Sequence, residues 1–301
     1  MIKKTFYSRE QECSDLFYSF GRVYNAATPE NHPLVFKTDE DFCAGMSILA
    51  VCAKMFPHIR IFAFQLMSNH VHFVVAGDET DIQEFFAYFK ERLGKHFGGQ
   101  VDLSQFQLKL FLISDLQYFR NAIVYANRNG FVVNDNVTPF SYPWGTSPYF
   151  FQPLLVRLAQ SSAKPIGNAD LRRLMHTHAA DSHKDALVLD GHILPTEFCH
   201  ISEAEQCFRD AKQYFYLISK NVESYPEIAR SIGESIFLTD NDLYLAAIKI
   251  SKEHFGSGEI NTLPANQKIE LARRLHYDYN ATDKQLNRLL KLDFDILKAI
   301  I

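Results

Sequence analysis

Two histidines stand two residues apart in the run Asn69-His70-Val71-His72-Phe73-Val74-Val75. In an extended segment, residues i and i+2 share a face. Both imidazoles then point the same way and offer two nitrogen donors to one divalent metal, while Val71 and Phe73 face the core. Two histidines at this spacing also sit on solvated sheet faces, so spacing alone leaves both readings open. Further on, Tyr125-Ala126-Asn127-Arg128-Asn129-Gly130 sets a phenol and a carboxamide four residues apart, neighbours on one helical face. A tyrosine phenol is a nucleophile in nucleic-acid strand cleavage, where a covalent phosphotyrosine divides one hard step into two. Asn129 offers a carbonyl oxygen to the metal one turn along. The plainer alternative is a packed Tyr125 and a helix that ends at Asn129-Gly130. A free phenol has a pKa of about 10, and a nearby metal would favour the phenolate.

These residues need a strand and a helix to position them. Residues 59–66 and 70–75 read as β-rich runs joined through Met67-Ser68-Asn69. Residues 14–24 alternate loosely and are rich in aromatics, which predicts an early strand. Helical spacing of apolar residues predicts helices over Asp39–Phe56, Asp81–Phe97 and Asp115 to about Asn127. Residues 139–149 are loop-like. The first half is therefore expected to be α+β, an antiparallel sheet covered by helices. Residues 160–168 read as a linker, and the remainder as a mostly α-helical C-terminal domain, with helices at 168–178, 202–220, 239–255, 266–277 and 282–291. The expected domains are 1–160 and 168–301.

Of the 301 residues, 47% are hydrophobic and 22% charged, which is a globular composition. The net charge of −4 argues weakly against a nucleic-acid partner, but a short single strand needs only a local basic strip. Five cysteines without a CxxC pair read as reduced thiols in a cytoplasm. No apolar run is long enough for a membrane span, and the start lacks the pattern of a signal peptide.

Three segments resemble a known family. Met67-Ser-Asn-His-Val-His-Phe-Val-Val is similar to the MPNHVHLLV strand of the REP-associated tyrosine transposases and their insertion-sequence relatives. Tyr125-Ala-Asn-Arg-Asn-Gly130 resembles their YIxxNP motif, and Tyr142-Pro-Trp-Gly-Thr-Ser147 resembles the YPWSS segment that follows it. Order and approximate spacing match across roughly residues 14–150. The resemblance implies a ferredoxin-like HUH nuclease domain that cuts single-stranded DNA beside a hairpin, with Mg²⁺ or Mn²⁺ as cofactor. It implies His70, His72 and Asn129 as metal ligands. Tyr125 is then the nucleophile that takes the 5′ phosphate and frees a 3′ hydroxyl. The family proline after Asn is Gly130 here. A second register aligns Asn127 with the family Asn and puts Ile123 at the nucleophile position, which would mean an inactive nuclease.

For DNA contacts, the resemblance points to Lys90, Arg92 and Lys95 on the helix after the histidine strand, where a solvated helix face is the competing reading. Arg128 lies beside the proposed nucleophile. At the C-terminal end, about 266–300, two short helices with a tight turn resemble a helix-turn-helix. Thr282 and Gln285 form a capping-box pattern there, and Lys284, Gln285, Asn287, Arg288 and Lys291 are candidate groove contacts. An ordinary bundle end fits the same pattern. His176, His178 and His183 form a weaker metal pattern.

The expected function is thus a metal-dependent, transposase-like single-strand DNA endonuclease and strand transferase, monomeric or homodimeric. The alternative is an inactive fold that binds hairpin DNA as a regulator. A histidine-triad phosphohydrolase is disfavoured because Val74 occupies the third histidine position, and an interaction scaffold would bind no metal.

Overall fold

The strand that carries His72 lies inside a four-stranded sheet. The computed structural model describes residues 6–30, 32–133, 140–175, 186–220, 240–279, 281 and 283–292. Val23–Ala27 (β1), Arg60–Leu66 (β2), Val71–Ala76 (β3) and Lys109–Leu112 (β4) pair in the order β2-β3-β1-β4, antiparallel throughout. Phe6–Ser19 (α1) precedes β1. Asp39–Met55 (α2) joins β1 to β2, Glu79–His96 (α3) joins β3 to β4, and Leu116–Val133 (α4) follows β4. The chain forms two compact units, Met1–Ile218 and Ser219–Ile301, and the sheet belongs to the first.

Local chemistry sets these elements. Thr38 caps α2: its hydroxyl accepts from the Asp41 backbone N–H at 3.2 Å, and the Asp41 carboxylate accepts from the Thr38 N–H at 3.0 Å. Strand alternation assigns the faces. Val71, Phe73 and Val75 meet the buried faces of α2 and α3, where Phe85, Phe86 and Phe89 pack. Val74 and Ala76 turn the other way, toward Phe119 and Ile123 of α4 and Phe17 of α1. A register shift between Ile61 and Ala63 in β2 lets Phe62 and Ala63 both join that second cluster.

The outer edge of β2 is covered by the segment after α4. Leu66 donates its N–H to the Trp144 carbonyl at 2.8 Å, and Thr146 donates to the Phe64 carbonyl at 3.1 Å. The Tyr142 hydroxyl donates to the Leu66 carbonyl at 2.8 Å. Gly145 sits opposite Gln65 in this pairing. A Cβ at Gly145 would stand 2.6 Å from the Phe64 carbonyl oxygen, so only glycine admits the approach.

Several expectations are corrected. Residues 14–19 are helix, not strand: Cys13, Phe17 and Phe20 are buried at spacings of four and three, and the strand starts at Val23. The helix with Tyr125 does not stop at Asn129-Gly130 but runs to Val133. The segment expected as a linker lies inside the first unit, where Lys164–Pro165 (β5), Leu187–Leu189 (β6) and His192–Ile193 (β7) make a small antiparallel sheet. The helix expected over 202–220 is broken into Ile201–Gln206 and Ala211–Lys220. In the second unit, Asp240–Phe255 packs with Ala265–Tyr279 and Asp283–Leu290 around Leu243, Ala247, Leu271, Leu275 and Leu286. Thr282, His176, His178 and His183 lie outside the described residues. Among the described residues, no helix is long and apolar enough to cross a membrane.

Candidate active site

His72 occupies the centre of the sheet. It lies directly opposite Ala27 of β1 and Gln65 of β2, so these side chains share its face. His70 precedes β3 at the β2–β3 turn, closed by a 2.8 Å hydrogen bond from the Met67 N–H to the His70 carbonyl. The two imidazole centroids are 4.9 Å apart with planes at 82°. The expected same-face arrangement of the histidines is therefore present. Helix α4 crosses this face along β2 and β3. It brings the Tyr125 ring to 5.4 Å from the His72 ring, edge to face at 78°.

The tautomer of His70 follows from its neighbour. The Asn69 Nδ2 donates to the Glu30 carbonyl, which leaves Asn69 Oδ1 as the acceptor at 2.8 Å from His70 Nδ1. The proton then belongs on Nδ1 and the lone pair on Nε2, the arrangement of a metal-ligating histidine held by an outer partner. Burial pushes the His70 pKa down to about 4. His72 is also lowered, by burial first and then by the charge of His70 beside it. Both rings are neutral at pH 7 and can donate electron pairs without first losing a proton.

The donors that the geometry brings together are two neutral imidazoles. Among the described residues, no group of three or more His, Cys, Asp or Glu could hold a metal. The remaining donors would be amide or water oxygens, with Asn129 the amide one turn along α4 from Tyr125. Tyr125, Arg128 and Asn129 stand at i, i+3 and i+4 on α4, hence on one side of the helix. All three are buried, as is His72.

The rival register fares differently. Ile123 lies in the apolar cluster with Phe62, Phe119 and Val74. The Asn127 Nδ2 donates to the Tyr214 hydroxyl at 3.1 Å, and the Thr146 hydroxyl donates to Asn127 Oδ1 at 2.8 Å. Asn127 thus ties α4 to the helix carrying Tyr214 and to the segment on the β2 edge.

The basic residues expected to hold DNA are not gathered here. Helix α3 packs against Phe73, on the sheet face opposite His72, so the sheet separates Lys90, Arg92 and Lys95 from the histidine pair. Lys90 donates to the Ser104 carbonyl at 3.3 Å, Arg92 lies over the Tyr88 ring at 4.5 Å, and Lys95 pairs with Glu91. In the second unit, Asn287 donates to the Leu292 carbonyl at 2.8 Å and closes the end of its own helix. Arg288 and Lys291 are exposed and Gln285 is half-buried. The side chain of Lys284 lies outside the described residues.

Sequence reasoning missed two polar residues on the site face, Asn25 and Gln65, both fully buried. The available signal was a carboxamide interrupting an otherwise apolar strand. The chain matches no protein-family model, no curated protein and no solved structure.

Proposed function

We propose that this protein is a metal-dependent single-strand DNA endonuclease and strand transferase of the HUH type, with Tyr125 as nucleophile. The observation that carries the reading is the convergence of His70, His72 and Tyr125 on one sheet face, with ring centroids 4.9 Å apart for His70 and His72 and 5.4 Å apart for His72 and Tyr125. The β-α-β-β-α-β connection and the strand order β2-β3-β1-β4 support a ferredoxin-like sheet. Hairpin-flanked single-stranded DNA is the proposed substrate, by the motif resemblance.

In this reading His70, His72 and Asn129 hold Mg²⁺ or Mn²⁺. When bound, such an ion supplies charge that polarises a non-bridging phosphate oxygen. The Tyr125 Oη attacks phosphorus. The Oη–P bond forms, the P–O3′ bond breaks, the phenolic proton is released, and the 3′ oxygen leaves as a hydroxyl. The sheet and α4 hold Tyr125 against His72, which supplies the orientation. Arg128, on the same side of α4, offers positive charge to the phosphate.

A second reading has its own support. Tyr125 is only 2% exposed and His72 is 0% exposed, so a substrate must open this face to reach them. A fold that binds hairpin DNA without cutting it needs no such opening. The test uses a pool of 3′-labelled hairpin-flanked oligonucleotides with Mn²⁺. A denaturation-resistant protein–DNA adduct that vanishes in Tyr125→Phe supports the nuclease. Hairpin binding without an adduct in either protein supports the binder.

A further inference from the structure

The central strand β1 carries a carboxamide whose placement the apolar core does not explain. Asn25 is 0% exposed, and neither its Nδ2 nor its Oδ1 has a hydrogen-bond partner among the described residues. Its strand partners are Val74 on β3 and Phe111 on β4. Burying both amide groups without partners is costly, and an apolar side chain of similar size would avoid that cost. Native proteins leave few groups in this condition, and each asks for a bound water, ion or functional role.

The register says where the amide points. Ala27 is directly opposite His72, and Asn25 is two residues from Ala27, so Asn25 shares the face of His72 beneath α4. It stands diagonally across from His72, at about 7–8 Å between backbones. That is distant for a side chain as short as asparagine to share an ion held by His70 and His72, since His70 lies on the far side of His72. It is within reach of a water in that ion's shell. Mg²⁺ and related hard cations keep several of their waters when bound to protein.

We infer that Asn25 is a positioning residue for the divalent ion of the His70–His72 pair, engaging the ion's hydration shell through its amide rather than the ion itself. This rests on the metal-dependent reading above. Loading the site makes the hydrogen bonds that the metal-free protein leaves unmade, so part of the metal affinity comes from Asn25. Such outer partners are worth about 10–100-fold in metal affinity.

The test compares Mn²⁺ binding by calorimetry with the melting temperature of the EDTA-treated protein, for wild type, Asn25→Leu, Asn25→Ala and His72→Ala. Asn25→Leu is expected to melt no lower than wild type when metal-free, yet to bind Mn²⁺ about 10–100-fold more weakly. Asn25→Ala is expected to show the same loss of affinity, which guards against misfolding of the leucine variant. Mn²⁺ affinity within twofold of wild type in a folded variant overturns the inference. So does a clear drop in metal-free melting temperature in both variants, because the amide would then already have partners. If wild type and His72→Ala both fail to take up Mn²⁺, the metal-dependent reading itself fails and the role of Asn25 falls with it.

Discussion

The ring of Tyr125 meets the ring of His72 edge to face, with centroids 5.4 Å apart and planes at 78°. One comes from the sheet centre and the other from the helix laid across it. This contact separates the hydroxyl's role from that of the ring. Tyr125→Phe keeps the ring and removes only the hydroxyl, at a stability cost of about 1 kcal/mol or less. Adduct formation is expected to fall below detection while Mn²⁺ affinity stays unchanged. Adduct formed by the Phe variant would show that another group attacks.

The neutral donor set predicts a metal preference. Two imidazoles and amide oxygens suit Mn²⁺ better than Mg²⁺, which favours carboxylates and water. Mn²⁺ is expected to bind at least about tenfold more tightly than Mg²⁺ in calorimetric titrations. At 100 times its dissociation constant it should add about 2.7 kcal/mol of stability. His70→Ala and His72→Ala should each abolish this gain. Equal affinity for the two ions would argue against the imidazole pair as the binding centre.

Asn127 is expected to act on stability and not on metal. Asn127→Ala leaves the Tyr214 hydroxyl without the donor it now has and takes one acceptor from the Thr146 hydroxyl, which keeps the Phe64 backbone, at a cost of about 1–3 kcal/mol in denaturant unfolding. Its Mn²⁺ affinity should match wild type. A selective loss of metal binding in a folded Asn127→Ala protein would revive the register with Ile123 at the nucleophile position.

Lys90, Arg92 and Lys95 are separated from the histidine pair by the sheet, as Phe73 packing on α3 shows. Their alanine variants are expected to leave the slope of hairpin affinity against salt concentration unchanged. A phosphate contact would lower that slope by about one for each residue removed. Fluorescence anisotropy over a salt series decides it.

Acid stability should depend on the buried Arg120. Its guanidinium donates to both oxygens of Glu10, at 2.5 and 3.1 Å, and to the Cys207 carbonyl at 2.8 Å. The hydrogen bond from Arg120 holds the Glu10 pKa below its ordinary 4.5. A lowered acid pKa gives stability that is complete above the ordinary value and is lost as pH falls through the lowered one. Glu10→Gln should therefore show a shallower loss of melting temperature below about pH 4.5 than wild type. An identical acid limb in both proteins would show that Glu10 is not responsible. Arg120→Ala should cost about 1–3 kcal/mol, because it leaves the Cys207 carbonyl without its donor, while the half-exposed Glu10 carboxylate keeps Arg209 and water.

The sequence by itself determined what depends on local periodicity. The alternation of residues 70–75 put His70 and His72 on one face, and the apolar spacing of Asp39–Met55 and Glu79–His96 marked both helices nearly to their ends. It misread residues 14–19 because aromatics recurring at three and four look like loose alternation in a short window. Tertiary structure alone decided which distant elements meet. Tyr125 turns toward His72 while Ile123, two residues earlier, packs with Phe62 and Phe119; a helix buried on several sides gives no apolar stripe from which to read this. The pairing register likewise brought Gln65 beside His72 and Asn25 onto the same face. Strand register is set by long-range hydrogen bonding and core packing, which no local window contains.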